Sequence, residues 1–196
     1  MTKEEIEKLK KLKEITKAPL GICKEALEKN NWNLELAQKY LLERGKNLLA
    51  KKAEKLAGYG IIEGYIHFNG RVGALVELRA ETDFVTRSPE FKSLAHEIAL
   101  QVATMSPLYL DIESIPEDTI KQKKEELAST IETENEKEKS KILEAKLNKW
   151  FEDVCLLQQK YFKNESLKIK DLIDEAINKF GEKIEVRRFV RLSIND

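Results

Sequence analysis

The chain has 196 residues and a formal net charge of zero at pH 7, with 41% hydrophobic and 36% charged residues. This length is sufficient for one large domain or two small ones, each with its own core. A zero net charge provides no overall field that would attract nucleic acid or a membrane surface. No apolar run has the length of a membrane span and the N-terminus shows no secretory or transit pattern, so we expect a cytoplasmic protein.

The segment 1–45 predicts three short helices, because its apolar residues recur at helical spacing. Asn33 is a suitable N-cap for the third helix, and Gly45 is a suitable C-terminal end for it. Three helices of this length enclose a very small core, so we interpret the segment as a docking domain rather than a catalytic scaffold. A basic connecting helix is predicted at 46–57.

After the connecting helix the apolar pattern changes to a period of two, which is typical of strands. Two such runs flank Asn69 and Gly70, which predicts a β-hairpin over 60–78 with a type I′ turn. That turn requires positive φ at both central residues. The resulting register places Gly64 and Gly73 on one face, where they leave room for a packed helix or a close backbone approach.

The remaining elements indicate an α+β core over 58–196, an antiparallel sheet covered by helices, because no βαβ alternation indicates a parallel sheet. Ser88 and Pro89 are typical of a helix start, and an apolar stripe that would cover the sheet begins at Phe91. The segment 116–150 is mostly Lys, Glu and small polar residues, which predicts a protruding, solvated helical hairpin. Other predicted elements are a strand at 154–162, a helix at 169–180, and a terminal strand at 183–194. The inward residues of the terminal strand are expected to be Ile184, Val186, either Phe189 or Val190, and Leu192.

The sequence contains none of the spacings that indicate a catalytic, nucleotide-binding or metal site. His67 and His96 are its two histidines, and Cys23 and Cys155 are its two cysteines. They form neither a metal-ligand set nor a nucleophile–base pair by spacing, and two buried free thiols are expected. We therefore predict that the protein is not an enzyme, has no catalytic residues, and uses no cofactor or metal.

The short segment 81–87, between the hairpin and the next helix, carries an aromatic side chain that is unusual for a connection. A phenylalanine held in water forgoes roughly 1.5–3 kcal/mol of burial free energy. Either Phe84 folds back into its own core, or it stays outside to enter another molecule. Phe91 already supplies an aromatic residue for the core of the following helix, which favours the second interpretation.

Several separated blocks of the chain, taken in order, resemble the elongation factor Ts family, the bacterial guanine-nucleotide exchange factors for elongation factor Tu. The most specific block is Glu81-Thr82-Asp83-Phe84-Val85. The resemblance covers essentially the whole chain and implies a ubiquitin-associated-like fold for the N-terminal domain. The other matching blocks are 12–16, 23–27, 65–67, 70–77, 154–159 and 186–189.

The resemblance also implies a mechanism and a set of partner contacts. Thr82, Asp83, Phe84 and Val85 would enter the nucleotide domain of elongation factor Tu and disturb its Mg²⁺ and phosphate site, so that GDP leaves. We expect the protein itself to bind no nucleotide, nucleic acid or membrane. Further candidate contacts with the same partner are His67, Leu20 and Cys23.

Alternative interpretations stay open for two of these residues and for the oligomeric state. Asp83 also suits a local cap or turn carboxylate, and His67 also suits a strand position that faces the core or solvent. The chain has one copy of the core sheet-and-helix unit, whereas longer family members have two. This favours a homodimer over a monomer that binds its partner with less surface.

Two other classes of protein compete with an exchange factor. A helical scaffold protein would bind other chains through the charged hairpin 116–150 and would leave nucleotide release unchanged. An RNA-binding module is suggested by the Lys-rich segment 46–55 and by Arg187, Arg188 and Arg191. Zero net charge and the lack of interleaved aromatic residues argue against RNA binding.

Overall fold

The computed structural model describes residues 1–133 and 135–194. Over these residues the chain has the α+β composition that the sequence predicts, and none of the described helices is long and apolar enough to cross a membrane. The helices are α1 (Lys3–Thr16), α2 (Leu20–Lys29), α3 (Leu34–Ala53), α4 (Asp83–Thr86), α5 (Pro89–Met105), α6 (Glu117–Ser129), α7 (Glu136–Val154) and α8 (Ile169–Phe180). The strands are β1 (Tyr59–Ile66), β2 (Val72–Ala80), β3 (Lys160–Tyr161), β4 (Asn164–Lys168) and β5 (Ile184–Ser193).

The chain forms two compact units, each of which is described by itself below. The first unit consists of Met1–Gly60, Arg79–Phe91 and Ile173–Glu185. The second unit consists of Ile61–Leu78, Lys92–Leu172 and Val186–Asp196.

In the first unit, α1, α2 and α3 pack against one another around a small apolar core. Thr2 and Glu5 form a capping box at the start of α1. The predicted cap of α3 is confirmed, because the Asn33 side chain accepts a hydrogen bond from Leu36 N at 3.0 Å. The buried residues of this core are Leu9, Leu12, Cys23, Ala26, Leu27, Ala37 and Leu41.

The prediction that the third helix ends at Gly45 is wrong, and so is the separate helix at 46–57. α3 is continuous through Ala53. A Cβ added at Gly45 would lie 3.4 Å from the side-chain oxygen of Asn178 in α8, which is an ordinary van der Waals distance, so the two helices lie side by side here. Gly45 thus lies in a helix interior, where glycine costs about 1 kcal/mol relative to alanine.

The main sheet has the order β1-β2-β5. His67 N donates to Val72 O at 2.8 Å, which confirms the predicted hairpin register. Four residues lie between His67 and Val72, however, and the predicted type I′ turn is wrong, because Gly70 has a φ of 68° whereas Asn69 does not adopt the left-handed region. Asn69 Oδ1 instead accepts a hydrogen bond from Arg71 N at 3.0 Å, so its side chain stabilises the turn.

In the second unit, α5 covers one face of this sheet. His96 Nδ1 lies 3.0 Å from Glu63 Oε1 of β1, and Arg191 Nε of β5 donates to Ala103 O at 3.3 Å. The other face contains Gly64 and Gly73 of the hairpin. The prediction that Leu192 points inward is wrong, because this residue lies on that face and is 72% exposed. The buried residues of β2 are Ala74, Val76, Leu78 and Ala80, and those of β5 are Ile184 and Val186.

The charged segment forms two helices, α6 and α7, that pack against each other, as predicted. One residue of the segment between them, Glu134, lies outside the described residues. The predicted strand at 154–162 is wrong. Cys155 and Leu156 are fully buried, but Leu156 N and Leu157 N donate to the carbonyls of Tyr109 and Leu110 in a loop. Within this segment, regular pairing in the described structure is that of β3 with β4. A short apolar run indicates burial without specifying the backbone conformation.

Candidate functional site: the Phe84 turn

α4 is a single helical turn that begins three residues after the end of β2 and holds Phe84 outside the core. Phe84 is 84% exposed, whereas the adjacent Val85 is 4% exposed. Consecutive residues of a helix point in different directions, so the buried valine anchors the turn while the ring projects into solvent. Phe84 therefore lies outside the core of its own chain, in agreement with the second of the two interpretations.

Local hydrogen bonds close this turn and start the next helix. Thr86 Oγ1 donates to Asp83 O at 2.9 Å, and Arg87 N donates to the same carbonyl at 3.2 Å. Ser88 Oγ donates to Val85 O at 2.8 Å and accepts from Phe91 N at 3.2 Å, which confirms the predicted N-cap of α5. These local hydrogen bonds all lie between Asp83 and Phe91.

Asp83 is exposed beside Phe84 and forms an ion pair that the sequence analysis did not identify. Its Oδ2 lies 2.8 Å from Arg87 Nη2, and the two side chains are 52% and 80% exposed. Their separation of four residues in the sequence is the spacing at which opposite charges on a helix pair, and it could have predicted this ion pair. Ion pairs this exposed contribute about 0–1 kcal/mol, so Asp83 can exchange this partner for another at little cost.

Thr82 is tied to a glutamate that is distant in sequence. Thr82 N donates to Glu182 Oε2 at 3.0 Å, and Thr82 Oγ1 donates to Glu182 Oε1 at 2.7 Å. Nothing in the sequence indicated this contact, because the two residues are 100 positions apart. The turn therefore has a buried anchor on one side of Phe84 and a hydrogen-bonded anchor on the other.

The other candidate contact residues differ in their exposure. In the first unit, Leu20 is 50% exposed at the start of α2, whereas Cys23 is fully buried, with its Sγ 3.5 Å from Ala18 O. In the second unit, His67 is half-buried and its Nδ1 lies 3.0 Å from the Tyr65 hydroxyl. Leu20 and His67 thus offer side-chain surface, whereas Cys23 supports the α1–α2 junction from inside.

The second unit carries an apolar sheet face, on the side opposite α5. Arg188 Nε pairs with Glu77 Oε2 at 2.7 Å, and Ile194 N donates to Arg71 O at 3.0 Å, which brings the outward side chains of β5 beside those of β2. Exposed apolar side chains in such a row are typical of an interaction surface. The members of this apolar sheet face, 52–76% exposed, are Ile62, Ile66, Leu75, Val190, Leu192 and Ile194.

No cluster of three or more His, Cys, Asp or Glu residues with metal-binding geometry occurs in the part of the chain that the structure describes. The two thiols, Cys23 and Cys155, are both free and buried, as predicted. Two features of the described surface suit binding to another protein, namely the exposed Phe84 ring on an anchored turn and the apolar sheet face.

Comparison with known proteins identifies the family. The family model described as Elongation factor TS matches residues 5–195. Proteins named Elongation factor Ts from Thermotoga maritima and from Thermotoga sp. strain RQ2 are 45% identical to the chain over 188 residues, which is 96% of this chain and 94% of each relative. The protein of the same name from Thermotoga neapolitana is also 45% identical, over 96% of this chain and 95% of its own length. The chain belongs to the elongation factor Ts family.

Proposed function

We propose that this protein is a guanine-nucleotide exchange factor that binds elongation factor Tu and promotes the release of GDP during translation elongation. Family membership over nearly the whole chain supports the choice of partner. The observation that carries the proposal is the exposed ring of Phe84 on a turn that is anchored on both sides. In this role the protein changes the affinity of another protein for its ligand and catalyses no covalent reaction.

Phe84 and Asp83 enter the nucleotide domain of the partner, and the ring of Phe84 wedges between helices near the bound Mg²⁺. The displacement of these helices removes ligands from the Mg²⁺ and weakens the contacts with the phosphates, so GDP dissociates. The buried Val85 supports this turn from below. Asp83 gives up or shares its exposed ion pair with Arg87 when it meets the partner, which costs little free energy.

The wedge does not act alone, because its free energy is too small. Burial of one phenylalanine contributes about 1.5–3 kcal/mol, and a tenfold acceleration of release requires about 1.4 kcal/mol. The ring by itself therefore accounts for one to two factors of ten. Further contacts with the partner must be stronger when its nucleotide site is distorted than when GDP is held tightly.

The N-terminal helices and the hairpin provide those further contacts in this proposal. We interpret the three-helix segment as a ubiquitin-associated-like docking domain, with Leu20 as a surface contact and Cys23 as its internal support. His67 contacts a second domain of the partner. Thermodynamic linkage then requires that GDP weaken the binding of this protein by the same factor by which the protein weakens GDP.

Stopped-flow release of fluorescent GDP from elongation factor Tu tests the exchange activity directly. The rate should rise with the concentration of this protein and reach a plateau. The competing scaffold interpretation predicts no change in the rate at any concentration. An unchanged rate, in the presence of a positive control for nucleotide release such as a magnesium chelator, would exclude the proposed function.

We further propose that a second copy of the chain covers the apolar sheet face in solution, which makes the protein a homodimer. An apolar surface of this kind suits a copy of itself, because each apolar row then meets another apolar row about a twofold axis. Gly64 and Gly73 lie in the same face, and a Cβ added at Gly64 would lie 3.1 Å from Cδ2 of Leu75, so this glycine lets the leucine side chain pack over the backbone there. Two chains would together supply the two core units that longer family members carry in one.

Sedimentation equilibrium measures the proposed dimer. The unmodified protein should sediment as a dimer, and Leu192→Lys should shift it to a monomer by placing a charge in the interface. Leu108→Lys is a matched control, because Leu108 is 70% exposed in the same unit and is not one of the rows on the sheet face. A monomeric wild-type protein at tens of micromolar would exclude the dimer while leaving the exchange proposal intact.

A further inference from the structure

Two carboxylates hold the backbone that leads into the Phe84 turn. Glu182 accepts two hydrogen bonds from Thr82, one from its backbone N–H at 3.0 Å and one from its hydroxyl at 2.7 Å. Glu81 Oε1 accepts from Lys52 Nζ at 2.7 Å and from Lys183 N at 2.6 Å. We call the four residues Glu81, Thr82, Glu182 and Lys183 the clasp.

The clasp joins the end of β2 to the start of β5 and is continued to α3. Each of Glu81 and Glu182 bonds the residue that neighbours the other, so the two short segments are crosslinked twice. Lys183 Nζ donates to the carbonyls of Ala53 and Lys55 at 3.1 and 2.8 Å, at the C-terminal end of α3. All of these residues belong to the first unit.

The Glu81 part of the clasp is shielded from solvent. The side chains of Lys52 and Glu81 are 17% and 19% exposed. Burial alone would raise the pKa of Glu81, but the hydrogen bonds from Lys52 and from the Lys183 backbone outweigh it, and the pKa lies below the ordinary value. The carboxylate is therefore ionised at neutral pH, where charge-assisted hydrogen bonds are strongest.

We propose that Glu81 and Glu182 are positioning residues for nucleotide exchange, which aim the Phe84 turn and couple it to α3. This inference rests on the proposed function. The ring of Phe84 is 84% exposed and so receives little orientation from packing in the free protein. Its direction is set by the backbone of α4, which the clasp holds at Thr82 and the core holds at Val85.

The clasp also explains how binding of the N-terminal helices to the partner would fix the position of the Phe84 ring. If the N-terminal helices bind the partner, a rigid connection from α3 to the turn converts that binding into a fixed position of the ring. A displacement of about 1 Å in a reacting group costs up to about 100-fold in rate. Loss of the clasp should therefore reduce the rate of exchange at saturation more than it reduces affinity.

The exchange experiment uses the full chain with Glu182→Ala and Glu182→Gln. Glutamine keeps one acceptor oxygen and no charge, so we expect its effect to be intermediate. The maximal rate of GDP release at saturating protein should fall between about 5-fold and about 100-fold for the alanine variant, with the half-saturating concentration changed by less than about 3-fold. Glu175→Gln is the matched control, because Glu175 is an exposed glutamate in the same unit.

Hydrogen exchange of the backbone amides tests the clasp without reference to activity. The amide of Thr82 donates to Glu182 and that of Lys183 donates to Glu81. We expect the Thr82 amide to exchange at least tenfold faster in Glu182→Ala, and the Lys183 amide to do so in Glu81→Gln, while amides in the core of α3 keep their wild-type rates.

The two measurements separate failure of this inference from failure of the proposed function. Faster amide exchange together with a lower maximal rate supports the positioning role. Unchanged amide exchange, or faster amide exchange with a wild-type maximal rate, overturns it. If the wild-type protein does not accelerate GDP release, the proposed function fails and the positioning role fails with it, whereas the amide data still report whether the clasp orders the turn.

Discussion

Replacement of Phe84 by alanine separates a role in partner binding from a role in folding. Because Phe84 is 84% exposed, the substitution removes little packing from the free protein. Surface substitutions of this kind change the free energy of unfolding by about 0.5 kcal/mol or less. For a chain of this length the melting temperature should shift by about 1–2 °C.

The effect on nucleotide exchange should be much larger than the effect on stability. Burial of the ring in the partner contributes about 1.5–3 kcal/mol. If that burial occurs chiefly in the transition state for GDP release, Phe84→Ala lowers the acceleration between about 10-fold and about 100-fold. Leu108→Ala removes a similarly exposed apolar side chain elsewhere and should leave the release rate unchanged.

The assay is stopped-flow release of fluorescent GDP, with chemical denaturation of the same protein samples. Phe91→Ala supplies the opposite case, because Phe91 is fully buried and its truncation should cost about 3–5 kcal/mol of stability. The reasoning is refuted if Phe84→Ala retains the wild-type exchange rate. It is also refuted if the variant loses several kcal/mol of stability, since that would make the ring part of the core.

Three further predictions concern stability and reactivity. Gln101→Leu should lower the free energy of unfolding by about 1–3 kcal/mol in chemical denaturation, because the buried amide accepts from Phe162 N at 3.0 Å and that donor would lose its partner. Burial, with a smaller contribution from Asp111, raises the pKa of Cys155 to about 11, so mass mapping should show labelling of this thiol at pH 8 more than about 100-fold slower than in the unfolded chain. The lowered pKa of Glu81 stabilises the fold fully above the ordinary value of 4.5 and progressively less as the pH falls below it, so Glu81→Gln should flatten the acid limb of a stability–pH curve.

The acid-limb prediction and the clasp depend on the same carboxylate but on different observables. Stability reports the free-energy difference between the charged group in the folded and unfolded chain. Exchange reports whether that charge keeps the Phe84 turn in position. A Glu81→Gln variant that loses acid sensitivity and keeps the wild-type exchange rate would therefore assign Glu81 a purely structural role.

Local signals in the sequence were sufficient for much of the fold. The hairpin register, the Asn33 and Ser88 caps and the helical pair α6–α7 follow from residues that are close together in the chain. Phe84 was recognisable because an aromatic ring in a polar connection is costly unless it has a use. In each case, the interaction that decides the structure lies within a few residues.

Tertiary structure decided the features that depend on contacts between segments far apart in the sequence. Gly45 is a good helix end locally, yet α3 continues through it to Ala53, and Asn178 of α8 packs beside it. Leu192 alternates like an inward strand residue, yet it is exposed because the described structure leaves that sheet face uncovered.

The clasp is the clearest case, since Glu182 lies 100 residues from the threonine that it holds. The sequence by itself determined that an aromatic side chain would be presented on a short turn. Only the tertiary structure decided that Glu182 holds this turn, because hydrogen-bond partners that are far apart in the chain produce no periodic or local pattern in the sequence.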